Sequence, residues 1–466
     1  MKVKIIFMPA LVSEGKFEEL DTPPLALYLL ASVAKENGHE VSIIDPCEFL
    51  CYEYESNIIE RCADYIMEKA REDEVLAFSS NTFNWAMTKC MINKIGEMID
   101  DKVIILGGLH PTIFDDYALR TTKARFVLRG EGEISFPKLL KEISGEQNYN
   151  NVFGLSYKMG NKIFKTPDSK SIDKDLLIKF PKPDYSLIPK KNSYNQIPIE
   201  SSRGCAFCCS FCSIPHRHNW RGFNVDEVIS RIEYAINTAT TIKYNDHFLF
   251  VDDCFSINSE RASKILDELV EKYGSMKKFF LEVRVSNIVK HNFLKPVYNR
   301  IIYGMQIGVE CGYDEGLKRI NKQITISELY KAMDIISKTG FSKCCMLSFI
   351  IGFPWETEKE IKQTLDTMED IAQKYNVLCN LNWLIFLPST LWEERKKYGI
   401  SIDESIYDDL YWLNSMDNFN RTHPMVSLEL FDYVDRRYRR MQEMNLRVAY
   451  NRPYNRDKMM SMMKRK

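Results

Sequence analysis

Ser201-Ser202-Arg203-Gly204-Cys205-Ala206-Phe207-Cys208-Cys209-Ser210-Phe211-Cys212 places four cysteines within eight residues. A short loop has no core to fill, so thiols at this density are not packing residues alone. They wrap a soft metal centre, and thiolates are the usual ligands of iron–sulfur clusters. Cys205, Cys209 and Cys212 read C-x3-C-x2-C. Three ligands leave one iron of a four-iron cluster open to a substrate or cofactor. Zinc is the rival, and it wants a fourth Cys or His, which His216 or His218 could supply. Cys208 leaves a second spacing open, C-x2-C-x3-C through Cys205, Cys208 and Cys212.

The chain around this loop has 466 residues, enough for two or three domains with their own cores. Hydrophobic residues make up 45% and charged residues 27%, the ordinary balance of a soluble globular protein. A net charge of −1 speaks against wholesale nucleic-acid binding. No apolar run approaches membrane-spanning length, and MKVKIIFMPA at residues 1–10 leads into a strand pattern rather than a signal peptide. Thirteen cysteines in such a chain read as metal chemistry and free thiols, not as a disulfide framework. An exposed cluster is oxygen-sensitive, so an anoxic cytoplasm is the expected location.

Upstream of the loop, strand and helix patterns alternate. KVKIIFM (2–8) is an apolar strand, and LALYLLASVAKENGHE begins a helix after Pro23 and Pro24, with Asp21 or Thr22 as its expected cap and Gly38 as its stop. VSIID, VLAFSS and KVIILGG repeat the strand pattern with helices between them. This alternation predicts βαβ units and a parallel sheet over residues 1–145, with ligands at the carboxyl ends of the strands. Gly107-Gly108-Leu109-His110-Pro111-Thr112 and Arg129-Gly130-Glu131-Gly132-Glu133 follow two such strands. Residues 146–195 carry turn residues, a Gly-Asn hairpin signal and the proline-rich FPKPDYSLIPKK, and read as an ordered linker.

From residue 196 to 390 the βα alternation resumes. HFLFVDDCF ends in Asp252 and Asp253; KKFFLEVRVS holds Glu282 and Arg284; YGMQIGVECG holds Glu310; KCCMLSFIIGFP ends at Gly352-Phe353-Pro354. Polar residues after apolar runs mark strand ends, where barrel enzymes keep their active groups. A buried Glu310 needs a partner, and Arg284 is the expected one. Residues 391–466 read as a helical, basic extension, with a loop then a helix over 416–438. From Arg436 onward eleven Arg or Lys stand against two acids, read as a solvated face or as a clamp for an acidic group.

RGCAFCCSFC resembles the cluster loop of the radical S-adenosylmethionine (radical SAM) enzymes. The resemblance implies a [4Fe–4S] cluster on Cys205, Cys209 and Cys212, with Phe211 before the last ligand and Cys208 a bystander. It implies S-adenosylmethionine on the open iron, cleaved by one electron to a 5′-deoxyadenosyl radical. It further implies a partial (β/α)6 barrel in which Phe211, Asp252, Asp253, Glu282, Arg284, Glu310, Gly352, Phe353 and Pro354 frame that cofactor. TPPLALYLLASVAKENGHEVSIID, GGLHPT and RGEGE resemble the Rossmann-like cobalamin-binding domain that precedes the barrel in one branch of the family. On that likeness Pro23, Pro24, Gly107, Gly108, His110, Pro111, Thr112, Gly130, Glu131 and Glu133 line cobalamin. D-x-H-x-x-G is absent, so cobalt is left without a protein histidine, and His110 is read as a turn residue rather than a cobalt ligand.

The implied activity is cobalamin-dependent methylation of an unactivated carbon on a small-molecule or natural-product substrate, fed by an electron donor such as flavodoxin or ferredoxin. The competing readings are ring formation or rearrangement without methyl transfer, a methylthiotransferase, and a cobalamin sensor or carrier. A methylthiotransferase needs three N-terminal cysteines for a second cluster, and none of Cys47, Cys51, Cys62 and Cys90 follows the first strand.

Overall fold

The computed structural model describes residues 1–13, 15–99, 101–214, 216–291 and 293–452. They form two compact units. The first comprises Met1–Pro198, Glu233–Asn245 and Asp403–Trp412; the second comprises Ile199–Ile232, Asp246–Ile402 and the chain from Leu413 onward.

The first unit is built on apolar runs rich in Val, Ile and Leu, the composition of strands covered on both faces. β1 (Lys2–Phe7), β2 (Glu40–Ile44), β3 (Val75–Ser79), β4 (Val103–Gly107) and β5 (Phe126–Leu128) lie in the order β2-β1-β3-β4-β5, every pair parallel. Strand order reverses between β1 and β3, and doubly wound sheets open their ligand crevice at such a point. The helix Leu25–Glu36 starts from Pro24 with no side-chain cap. Asp21, expected to cap it, is engaged elsewhere: its backbone carbonyl accepts the N–H of Asn195 at 2.8 Å and its carboxylate the Asn195 amide at 3.2 Å.

The segment 146–195 extends the same sheet. β6 (Leu155–Met159) pairs antiparallel with β5, and β7 (Lys162–Lys165) closes a hairpin on β6 through Gly160 and Asn161. The end of this segment is fastened to the helix Leu25–Glu36 and the β2 exit by one buried carboxylate. Asp45, fully buried, accepts hydrogen bonds from the Tyr28 hydroxyl, the Tyr194 hydroxyl at 2.5 Å and the Cys47 N–H at 2.9 Å. Lys35 adds an ion pair to Asp184 at 2.8 Å.

The second sheet runs β8 (Ile197–Ile199), β9 (His247–Phe250), β10 (Lys278–Val283), β11 (Ile302–Glu310), β12 (Cys345–Ile351), β13 (Leu378–Trp383) and β14 (Val448–Asn451), in sequence order. Every pair from β9 to β14 is parallel, and the sheet stays open. β8 to β13 are the six strands of the partial barrel, and β14 adds a seventh. Capping boxes start two of its helices, Thr325 with Glu328 ahead of Ile326–Thr339 and Thr357 with Glu360 ahead of Glu358–Tyr375.

Residues 416–438 differ from the expected loop and helix. Ser415 accepts from the Asn418 N–H and caps a helix over Met416–Thr422; Ser427 then caps a second, Leu428–Glu443. Two arginines of the basic run hold structure. Arg437 pairs with Asp366 and Glu369, each at 2.8 Å, and Arg447 donates to the carbonyls of Ser342, Lys343 and Asn376. Arg439 and Arg452 approach the buried Asp435, and the part of the run from residue 453 onward lies outside the described residues.

Asp45→Ala would leave two buried tyrosine hydroxyls without an acceptor. Each costs about 1–3 kcal/mol, so the first unit should lose roughly 2–6 kcal/mol in urea unfolding followed by circular dichroism. Asp45→Asn, which keeps an acceptor, should lose less.

Candidate active site

The cysteine loop is pinned at its base. Ser202–Arg203 pairs antiparallel with Arg221–Gly222, and the Cys205 N–H donates to the His216 carbonyl at 3.2 Å. Asp252, at the exit of β9 and 2% exposed, accepts from the Ser201 N–H at 2.7 Å and from the Ser201 and Ser202 hydroxyls, both at 2.5 Å. Burial pushes its carboxyl up, opposed by these hydrogen bonds. Asn258, not either aspartate, caps the next helix, Ser259–Tyr273. Asp252 therefore anchors the loop from below, and its oxygens are occupied by protein.

Inside the loop the thiols separate into two kinds. Cys205 and Cys209 are buried, and Cys212 interacts electrostatically with both; burial pushes Cys212 up to about 11. Cys209 Sγ accepts from Arg284 Nη1 at 3.7 Å. Cys208 is half-buried and is fixed through its backbone, its carbonyl accepting from the Asn321 amide at 3.1 Å. Arg284 lies 3.6 Å from the Phe207 ring centroid, donates to the Lys322 carbonyl, and keeps a buried Nε with no hydrogen-bond partner among the described residues. Three thiols of one short loop, with the Arg284 guanidinium beside Cys209, form a donor set suited to an anionic thiolate cluster. Among the described residues, the cysteine loop included, no group of three or more His, Cys, Asp or Glu is placed to hold a single metal ion.

Glu310 does not pair with Arg284. Its carboxylate meets Lys322 Nζ at 2.7 Å, and both side chains are under a tenth exposed. Two local features make room for this pair. The β11–β12 register shifts between Gly308 and Glu310, and Glu310 takes a left-handed φ of 73°, uncommon for a residue with a Cβ. A Cβ at Gly308 would overlap Glu310 Oε1 and stand 2.8 Å from Lys322 Nζ. Lys322 was not foreseen, because Asn321-Lys322-Gln323 follows a helix rather than an apolar strand.

Two further carboxyls are held off their ordinary range. Burial and the Glu310 charge push Glu282 up to about 8. Asp253 is open to solvent yet crowded by protein, and this desolvation, with repulsion from Asp252, pushes it up to about 6.

The turn Gly352-Phe353-Pro354 is organised by Glu356, which accepts the N–H groups of Gly352 at 2.7 Å and Phe353 at 3.0 Å and the Tyr313 hydroxyl at 3.0 Å. Burial pushes Glu356 up to about 7. The acid of IIGFPWET is thus the residue that shapes the turn. Phe353, 1% exposed, meets the Phe211 ring edge-on at 6.0 Å.

In the first unit the β3, β4 and β5 exits converge. The Ser80 N–H donates to the Gly107 carbonyl at 2.9 Å, and Asn84 bridges the two sides of the crevice, donating to the Met8 carbonyl at 2.7 Å. Gly108, at φ 100°, lies against the Ser80 backbone, where a Cβ would stand 2.8 Å from its nitrogen. Thr112 links the two glycine loops, donating to the Gly108 carbonyl at 2.7 Å and accepting the Gly130 N–H at 3.0 Å. Glu131 accepts from the Ile172 N–H at 2.7 Å. Pro23, Pro111 and Glu133 are buried, Pro24 half-buried. His110 is fully buried, stacked on Trp85 at 4.4 Å and edge-on to Tyr407 at 5.5 Å. Burial pushes it down to about 3, so it stays neutral inside an aromatic cluster. It is a packing residue, not the cap of a turn.

Residues 199–368 match the radical SAM superfamily. Residues 18–140 match the B12 binding domain. The protein is therefore a radical SAM enzyme that carries an N-terminal B12-binding domain, and its cofactors are a [4Fe–4S] cluster, S-adenosylmethionine and cobalamin. An uncharacterized methyltransferase of Pyrococcus horikoshii is 28% identical over 78% of this chain and 77% of its own length. An anaerobic magnesium-protoporphyrin IX monomethyl ester cyclase of Cereibacter sphaeroides is 24% identical over 82% of this chain, which spans only 63% of that protein. The radical SAM methyltransferase TsrM of Kitasatospora setae, solved with cobalamin and a [4Fe–4S] cluster, superposes with a TM-score of 0.66 over 87% of this chain and 79% of its own at 13% identity, a likeness of fold. No helix among the described residues is long and apolar enough to cross a membrane.

Replacing Cys205, Cys209 or Cys212 with Ala should abolish the iron–sulfur absorption of anaerobically reconstituted protein, and Cys208→Ala should keep it. Loss in Cys208→Ala with retention in Cys209→Ala would reverse the assignment. Glu282 gives a second test. Its folded value of about 8 exceeds the ordinary 4.5, so the native state holds the proton longer than the unfolded chain. The carboxyl favours folding most below its ordinary value and loses that contribution as pH rises towards 8. Glu282→Gln should raise the melting temperature of the cofactor-free protein at pH 8 and leave it nearly unchanged at pH 5.

Proposed function

We propose that this enzyme methylates an unactivated carbon of a small-molecule or natural-product substrate. The observation that carries the reading is the union, in one chain, of a B12-binding domain and a radical SAM domain with Cys205, Cys209 and Cys212 in its cluster loop. A methyltransferase relative and the methyltransferase fold of TsrM support it. When bound, the cluster and S-adenosylmethionine supply a one-electron cleavage and a 5′-deoxyadenosyl radical, and cobalamin supplies the methyl group.

The chain's own contribution is to hold and to orient. Cys205, Cys209 and Cys212 hold the cluster, with Arg284 offsetting the charge on Cys209. Phe211, Asp253, Glu282, Glu310 and the turn Gly352-Phe353-Pro354 frame S-adenosylmethionine. Glu310, already neutralised by Lys322, offers its free oxygen to hydroxyls rather than to a second cation. Asp252 acts through the loop it anchors and is a positioning residue. Gly107, Gly108, Gly130 and Thr112 would present backbone and one small side chain to cobalamin, close enough for a bulky macrocycle to approach, with Glu131 in the same loop. An electron donor such as flavodoxin or ferredoxin serves the cluster.

Anaerobic incubation with S-adenosylmethionine, a reductant and cobalamin tests the reading. The expected products are 5′-deoxyadenosine and S-adenosylhomocysteine together. 5′-Deoxyadenosine alone would move the enzyme to ring formation or rearrangement, and neither product would leave it a cobalamin carrier.

A further inference from the structure

The face of the second sheet that carries Glu282 continues as a row of amides. Along β10, β12 and β13 fully buried and half-buried residues alternate strictly, so one face is covered and the other is open. Parallel sheets are commonly covered on both faces, and an open one marks space kept clear. Register sets Glu282 beside Gln306, Gly308 beside Ser348, Ser348 beside Asn380, and Asn382 beside Asn451, and residues so paired share a face. A Cβ at Gly308 would run into Glu310 and Lys322, so their ion pair lies over the same face.

At the far side of this face the polar groups form a relay. The Asn451 amide donates to Asn382 Oδ1 at 2.6 Å, and Asn382 Nδ2 donates to Ser348 Oγ at 3.4 Å and to the Phe349 carbonyl at 3.3 Å. Asn380 stands beside Ser348 and is left out of the relay. Its Oδ1 is enclosed yet has no hydrogen-bond partner among the described residues. A buried acceptor without a donor is costly unless something else supplies one.

Among the described residues no charge accompanies these groups. Between the amides stand only apolar residues, Met346 and Ile350 on β12, Leu378 on β13 and Ala449 on β14. The charged groups of the face lie on its other side: Glu282, three strands from Asn380, and Glu310 paired with Lys322. Glu356 at the β12 exit is taken up by Gly352, Phe353 and Tyr313, and Arg452 after β14 pairs with Asp435. The β13 exit, residues 384–389, carries no charged residue.

We propose that this half of the face holds the substrate by an uncharged amide, a secondary amide or lactam, docked on Asn380 beside Ser348 and Asn382. The inference rests on the proposed methylation in calling the occupant the substrate. An asparagine offers an acceptor and a donor side by side, and an amide is the complement of that pair in either orientation. A purely apolar substrate would leave Asn380 Oδ1 without a donor. A carboxylate would bring acceptors to an acceptor, with no unpaired cation on this side to meet its charge. An ammonium would supply a donor but would sit three strands from Glu282, and a charge held away from its counterion is costly.

The test uses the cluster-reconstituted full chain and three probes of related skeleton, N-acetylglycinamide, N-acetylglycine and glycinamide, with toluene as an apolar fourth, each titrated by ligand-observed NMR. Wild type should bind N-acetylglycinamide saturably and ahead of the other three. Asn380→Leu should weaken that binding about fivefold. Asn380→Asp, of nearly the same size, should turn the preference to glycinamide, and it carries the decision if the leucine variant does not fold. No saturable binding of N-acetylglycinamide, a wild-type preference for the carboxylate, the ammonium or toluene, or an unchanged order of affinities in Asn380→Asp would overturn the proposal. Dithionite-driven formation of 5′-deoxyadenosine from S-adenosylmethionine in wild type tests the radical reading separately. Its failure would overturn that reading and leave the probe result standing.

Discussion

One buried carboxylate fixes where the chemistry can happen. Asp252 closes the end of β9 and takes three hydrogen bonds from Ser201 and Ser202, so the cysteine loop leaves the sheet from a fixed point. A buried carboxylate is costly unless its oxygens are satisfied, and here the two serines and a nearby Arg261 meet that cost. Arg261 also donates to the Ser201 carbonyl and to the Phe223 carbonyl, holding both feet of the loop. The remaining contacts of the site build on this anchor: Arg284 to Cys209 from β10, the segment after Arg319 to Cys208 and Ser210, and the Gly352 turn to Phe211.

Above that anchor the strand ends carry more acid than base. Lys322 pairs with Glu310, while burial, with repulsion from neighbouring carboxylates second, holds the Asp253 and Glu282 carboxyls above their ordinary range. A mouth of this kind favours a ligand that brings a positive charge with it. S-adenosylmethionine, with its sulfonium and ammonium groups, has that character.

Much of this was legible in the sequence. The cysteine spacing, the apolar runs of both parallel sheets and the polar residues at strand ends are local signals, and local signals survive without a structure. What was not legible depended on contacts far apart in the chain. Lys322 meets Glu310 only because a bulge and a left-handed residue turn the end of β11, and neither leaves a mark in the pattern of apolar residues. Asp21 looked like a helix cap until Asn195 claimed its carbonyl and carboxylate. His110 looked like a turn residue, yet Trp85 and Tyr407 enclose it, the latter from a segment nearly three hundred positions away. Glu356 is the instructive omission, since it lies two residues beyond Pro354 and shapes the turn whose own residues alone were named.

The bond between Tyr194 and Asp45 bears on how the chain can be divided. A fragment cut at residue 145 would keep the five parallel strands but lose β6, β7 and the tyrosine that satisfies half of a buried acid. It would expose the hydrogen-bonding edge of β5 and leave Asp45 short of a donor, two conditions that drive isolated α/β domains to aggregate. Asp403–Trp412 belongs to the same compact body, with Asp408 accepting from Trp85, Lys89 and Tyr117. The first unit is thus assembled from pieces that the ribosome delivers hundreds of residues apart, and it cannot finish folding until most of the second has been made.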